Sequence, residues 1–100
     1  MNPREELVNF LSENPECHLI SQSKIHMHVL DSILSEARSF NDLRAYFHSV
    51  EPQDLVEILD SLVLVELAGR VKTDNKHVYY ATSKGKKFME KYENAKKAMV

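Results

Sequence analysis

One hundred residues, 43% of them apolar, suffice for one small core; at this size folding buries about two-thirds of the unfolded surface and leaves no room for a second core. A single cysteine excludes an internal disulfide, and no apolar run approaches the ~20 residues needed to cross a bilayer. The opening stretch, MNPREELVNFL, is charged within six positions and lacks the apolar centre of a signal peptide, so the expected compartment is the cytoplasm.

In chain order, Asn2 with Glu5 three residues on and Pro3 between them predicts a helix start, and Leu7, Val8, Phe10 and Leu11 follow on one face. Asn14-Pro15 ends that helix. A polar link through Ser21 and Ser23 leads to a second helix, expected from Lys24 to Ala37, with the stripe Ile25, Val29, Leu30, Ile33, Leu34 and Ala37. Ser39-Phe-Asn-Asp42 is a capping pattern that opens a short helix with Leu43 and Phe47 inward and Arg44 outward. His48 to Val50 makes a tight connection, and Pro52 starts a helix that runs to about Val63. These last two helices form a helix-turn-helix.

The stretch from Asp54 to Tyr92 then changes period twice. Leu55, Ile58, Leu59 and Leu62 recur at helical spacing, whereas Val65, Leu67 and Val71 alternate as a strand does. Asp74-Asn75 is a two-residue turn signal that sets Val71 opposite Val78 and Arg70 opposite Tyr79. With that register Val71, Val78 and Tyr80 fall on one face, expected to be core, and Arg70, Lys72, His77 and Tyr79 on the other, expected to be solvent-facing. Thr82 caps a last helix carrying Phe88 and Tyr92.

Helix, hairpin and helix in this order resemble the small archaeal winged-helix proteins, a family of transcription regulators and chromatin-associated proteins. The resemblance is carried by LVEILDSLVLVELAGRV, like the third helix leading into the wing, and by YYATSKGKKFMEKY, like the strand, capping Thr, Gly and start of a long final helix. It covers roughly Ile25 to Met99. It implies an α+β fold, mainly helical with a small β-hairpin, in three parts: an N-terminal extension over residues 1–24, a winged-helix core over 25–82 and a C-terminal helix over 83–100. Family members typically bind duplex DNA through the third helix and the wing, and some dimerise through the final helix.

Charge is segregated along the chain. Residues 1–69 hold four Lys/Arg against twelve Asp/Glu, a net of −8, and residues 70–100 hold nine against three, a net of +6. A basic C-terminal third attracts polyanions even under a slightly acidic total. The candidate DNA contacts are therefore Arg70, Lys72, Lys76, His77 and Tyr79 on the wing and Lys84, Lys86 and Lys87 at the start of the last helix, with Arg44 and Gln53 from the helix-turn-helix. The third helix breaks the pattern. Its outward face carries Gln53, Asp54, Glu57, Asp60 and Ser61 without a cation, and acidic groups are repelled by the phosphate backbone.

Phe88, Tyr92, Ala95 and Met99 repeat at four, three and four residues, a heptad seam that predicts a homodimer supported by Leu7, Phe10 and Leu11. The competing expectation is a protein-interaction or scaffold module that uses the N-terminal helix or the acidic third helix and binds no DNA. Cys17, His18, His26 and His28 lack the paired spacing of a structural zinc site, and the chain's two glycines form no phosphate loop. No metal, cofactor or catalytic residue is expected, and the chain is not expected to be an enzyme.

Overall fold

Asn2 starts the first helix, α1 (Pro3–Glu13), by accepting the Glu5 amide on its side-chain oxygen at 2.9 Å. The computed structural model describes residues 2–98. At the far end of α1 the backbone amide and the side-chain amide of Asn14 both donate to the Phe10 carbonyl, closing the helix before Pro15. The next segment is less extended than its polar composition suggests. A 3-10 turn (Pro15–Cys17) runs into a one-turn helix, α2 (His18–Ser21), and together they carry Cys17 and Ile20 into the core.

The helix expected over Lys24 to Ala37 stops early. Helix α3 (Lys24–Ser32) begins at the cap Ser23, and Ile33 and Leu34 then bond back three residues, to Leu30 and Asp31. The Arg38 Nε donates to the Ser32 carbonyl at 2.6 Å, satisfying one of the orphan carbonyls at the helix end. Arg38 is itself the start of a two-residue strand, β1 (Arg38–Ser39), and Ala37 is exposed. Ser39 then caps α4 (Phe40–Tyr46) through the Asp42 amide at 3.1 Å, as the spacing predicts.

Helix α5 (Pro52–Leu64) buries Leu55, Ile58, Leu59 and Leu62. It ends with the Leu67 amide on the Leu62 carbonyl and the Glu66 amide on the Val63 carbonyl, each at 3.0 Å, the paired bonds of a Schellman close. The residue that must turn left-handed in this close is Glu66, at φ 64°.

Strands β2 (Ala68–Thr73) and β3 (Lys76–Ala81) pair in the expected register, Val71 opposite Val78 and Arg70 opposite Tyr79. Asp74 and Asn75 both have positive φ, 49° and 63°, which gives the turn the hand that matches strand twist. The expected facing is inverted. Tyr79 is 3% exposed and sits in the core with Ala68 and Ala81, whereas Val71 and Tyr80 are 47% and 40% exposed. The cause lies at the base of the hairpin, where the two alanines let the sheet close on the core. β1 also lies against β3, giving the antiparallel order β1-β3-β2 with Arg38 opposite Tyr79. On the other face the Tyr80 ring occupies the space that a Cβ on Gly69 would need.

Thr82 links the sheet to α6 (Ser83–Ala98). Its hydroxyl accepts the Gly85 amide at 3.0 Å and donates to the Glu66 carbonyl at 2.6 Å. Gly85 is buried against Leu67, whose carbonyl oxygen a Cβ would strike. Helix α6 then packs along α1, with Phe10 and Phe88 stacked at 5.6 Å between centroids. The result is a mainly helical α+β domain carrying a small antiparallel sheet, 45 × 24 × 21 Å in extent. No helix among the described residues is long and apolar enough to cross a membrane.

Candidate nucleic-acid interface

The hairpin divides the wing cations into two classes. Arg70 lies at the base, its guanidinium 2.9 Å from the Asp60 carboxylate on α5 and 6.0 Å from the centre of the Tyr79 ring. Tyr79 first and Asp60 second hold its pKa above the ordinary arginine value. Its charge is therefore locally balanced before any phosphate arrives. Lys72, Lys76 and His77 lie toward the tip, exposed and without a salt bridge among the described residues. Tyr79, expected as an outward contact, is a core residue at 3% exposure that supports Arg70 from beneath and reaches only the floor of the neighbouring cleft.

Between the hairpin and the helices runs a cleft of about 360 Å³, lined by Phe40, Asn41, Val56, Asp60, Arg70 and Lys76 among others. From α5 the cleft takes Val56 and Asp60. Gln53, Asp54, Glu57 and Asp60 are all exposed on the outward surface of α5, as the helical spacing predicts, with Asp54 and Glu57 beside Ile25 and His26 of α3, and Arg44 is exposed in the last turn of α4.

The three lysines at the start of α6 do not act alike. Lys84 reaches back to the Glu16 carboxylate at 2.7 Å and the Val65 carbonyl at 2.8 Å, tying the N-terminal segment to the end of α5. Burial is the largest single influence on Lys84 and works against its charge, but the Glu16 hydrogen bond and the surrounding Coulomb attractions together outweigh it and raise the ammonium pKa, while Lys84 in turn lowers that of Glu16. Lys86 and Lys87 remain exposed, and Lys87 shares a groove between α1 and α6 with Lys91, Glu6 and Glu13. Sequence reasoning missed both carboxylates that occupy these cations. Glu16 stands 68 residues from Lys84, a separation over which a charge pattern carries no pairing information.

The expected dimer seam is buried within the chain at two of its four residues. Phe88 and Ala95 are 0% and 3% exposed, and Tyr92 is half-buried with its ring 6.5 Å from that of Phe88. Helix α1 supplies the cover, burying Phe10 and packing Leu7 and Leu11 on the same core. Met99, the last residue of the seam, lies outside the described residues.

Cys17 is buried with its thiol pKa pushed up by burial, and the neighbouring His18 is exposed with its ring nitrogen 3.2 Å from the Gln22 amide. The pair is not aimed at a common point. No protein-family model, curated protein or solved structure matches the chain.

Proposed function

We propose that the chain is a winged-helix domain that binds duplex DNA, chiefly through the tip of its hairpin, and acts as a transcription regulator in the cytoplasm. The observation that carries this reading is the exposed hairpin tip with Lys72, Lys76 and His77, none in a salt bridge among the described residues, on a helix, strand, helix, helix, hairpin order that supports the winged-helix assignment. Lys86 and Lys87 would extend the basic surface, and Arg44 and Gln53 are exposed on the two helices beside the hairpin. Affinity in this arrangement comes from phosphate contacts, with little base reading by the acidic α5. Gel retardation of a duplex at low salt tests it. The double variant Lys72→Glu, Lys76→Glu should lose retention, and each lost phosphate contact should reduce the log–log salt slope by about 0.9. Unchanged affinity and slope in the folded double variant would overturn the proposal.

A second reading is favoured by the acidic outward face of α5 and by the Arg70–Asp60 pair that closes the base of the hairpin against it. In this reading the domain is a protein-interaction module, and association with its partner is far less salt-dependent than phosphate binding.

A further inference from the structure

The order β1-β3-β2 leaves β2 as a six-residue open edge, while the other edge, β1, is only two residues long. In a two-residue hairpin the pair flanking the turn, here Thr73 and Lys76, is hydrogen-bonded, and bonded and non-bonded pairs then alternate. Arg70 and Lys72 fall in the non-bonded pairs, opposite Tyr79 and His77. Their backbone N–H and C=O groups therefore point away from β3, toward the open edge. Neither residue makes a backbone hydrogen bond outside the hairpin among the described residues.

The side chains along this edge alternate in chemistry. Arg70 and Lys72 lie on the face toward α5, and Val71 on the opposite face, where it is 47% exposed beside Val78 and the half-exposed Tyr80. A second copy of the edge would set cation against cation, which destabilises a cross-strand pair. A strand with the complementary pattern would not.

We propose that β2 is a docking edge for an extended protein segment in which acidic and apolar residues alternate, added antiparallel as a fourth strand. Residues of that segment opposite Arg70 and Lys72 form backbone bonds with them; the carboxylate opposite Lys72 meets a cation without a salt bridge among the described residues, and the one opposite Arg70 shares the guanidinium with Asp60. The residue opposite Val71 adds an apolar side chain to the Val71, Val78 and Tyr80 surface. Backbone bonds supply affinity and the alternation supplies register, the division of labour general to strand addition. Docking at this edge does not depend on DNA binding. Because Lys72 serves both uses, a domain that binds DNA would hold only one of the two partners at a time.

The test is an amide NMR titration of the full chain with a hexapeptide alternating valine and glutamate, against an isomer with three valines followed by three glutamates. The alternating peptide should give saturable shifts along residues 68–73 and slow the hydrogen exchange of the Arg70 and Lys72 amides. Lys72→Glu, at an exposed position, should weaken it about ten-fold or more. Lys72→Pro removes an outward N–H that the hairpin does not use, and should abolish the slowed exchange while the rest of the spectrum keeps the native pattern. Equal binding of the two isomers would reduce the edge to non-specific charge attraction and overturn the proposal. So would saturation centred on another surface, unaltered exchange at Arg70 and Lys72, or no shift at millimolar peptide. DNA retention, measured on the same samples by gel, reports separately on the wing tip.

Discussion

Glu66 holds a backbone conformation that an L side chain resists, and the whole passage from α5 into the sheet turns on it. Its φ of 64° lets the Leu67 and Glu66 amides close the helix and lets Leu67 enter the core beside Leu62, both fully buried. The Thr82 hydroxyl bonds the Glu66 carbonyl, so a backbone group, which any residue at this position would keep, also fixes the start of α6. The side chain itself is exposed and makes no salt bridge among the described residues. Glu66→Gly should therefore raise stability by about 0.5–1 kcal/mol, because glycine is the residue favoured at a left-handed helix close. The gain is the relief of strain less the added entropy of a more flexible unfolded chain. Urea unfolding of the two proteins measures it, and a lower midpoint in the variant would show that the side chain contributes more than its conformation costs.

Element by element, the sequence is most informative where a local rule decides the outcome. Asn2 with Glu5, Ser39 with Asp42 and Thr82 with Gly85 each form the cap their spacing predicts, and Asp74-Asn75 sets the hairpin register. What is not legible depends on partners distant in sequence. Which face of the hairpin is buried follows from Ala68, Ala81 and the two residues of β1, a strand too short to show any alternation. Arg70 and Lys84 read as free cations until Asp60 and Glu16 are brought to them by the fold.

Helix α3 carries a consequence of the same local kind, because its cap Ser23 also lies 2.6 Å from the Nδ1 of His26. A hydroxyl that accepts the His26 amide can donate to a neutral imidazole nitrogen, but not to a protonated one. Burial lowers the His26 pKa below its ordinary value. The unfolded chain, near 6.5, then takes up the proton first, so the stabilisation is fully present above about pH 6.5 and is lost as pH falls from there through the lower folded-state pKa. Stability measured at pH 7.5 and 5.5 should drop in the wild type, and by less in His26→Gln. An equal drop in both would assign the pH dependence to other groups.

At the scale of the whole molecule, α1 decides what the chain can assemble with. A stripe of Phe88, Tyr92 and Ala95 asks to be covered, and helical spacing cannot say whether the cover comes from another chain or from the same one. For Phe88 and Ala95 it comes from the same one, and Tyr92 stays half-buried. Phe10 stacks on Phe88, Leu7 and Leu11 pack onto the core, and Glu16 fastens the segment that follows to Lys84. The ion pair is partly exposed and adds little by itself, since solvent screens such pairs. The aromatic contact stabilises the pairing of α1 with α6 by more. Phe10→Ala should destabilise the domain by about 3–5 kcal/mol, the usual cost of emptying a buried aromatic site. With Phe88 and Ala95 covered by the chain itself, the wild type should sediment as a monomer at micromolar concentration, and Tyr92→Glu should leave that mass unchanged. A wild-type dimer that Tyr92→Glu dissolves would instead place the outer turns of α6 between two chains. Covering of the seam by α1 would then extend only to Phe88 and Ala95, and two hairpins would be presented together, with the gain in avidity that such pairing gives on one duplex.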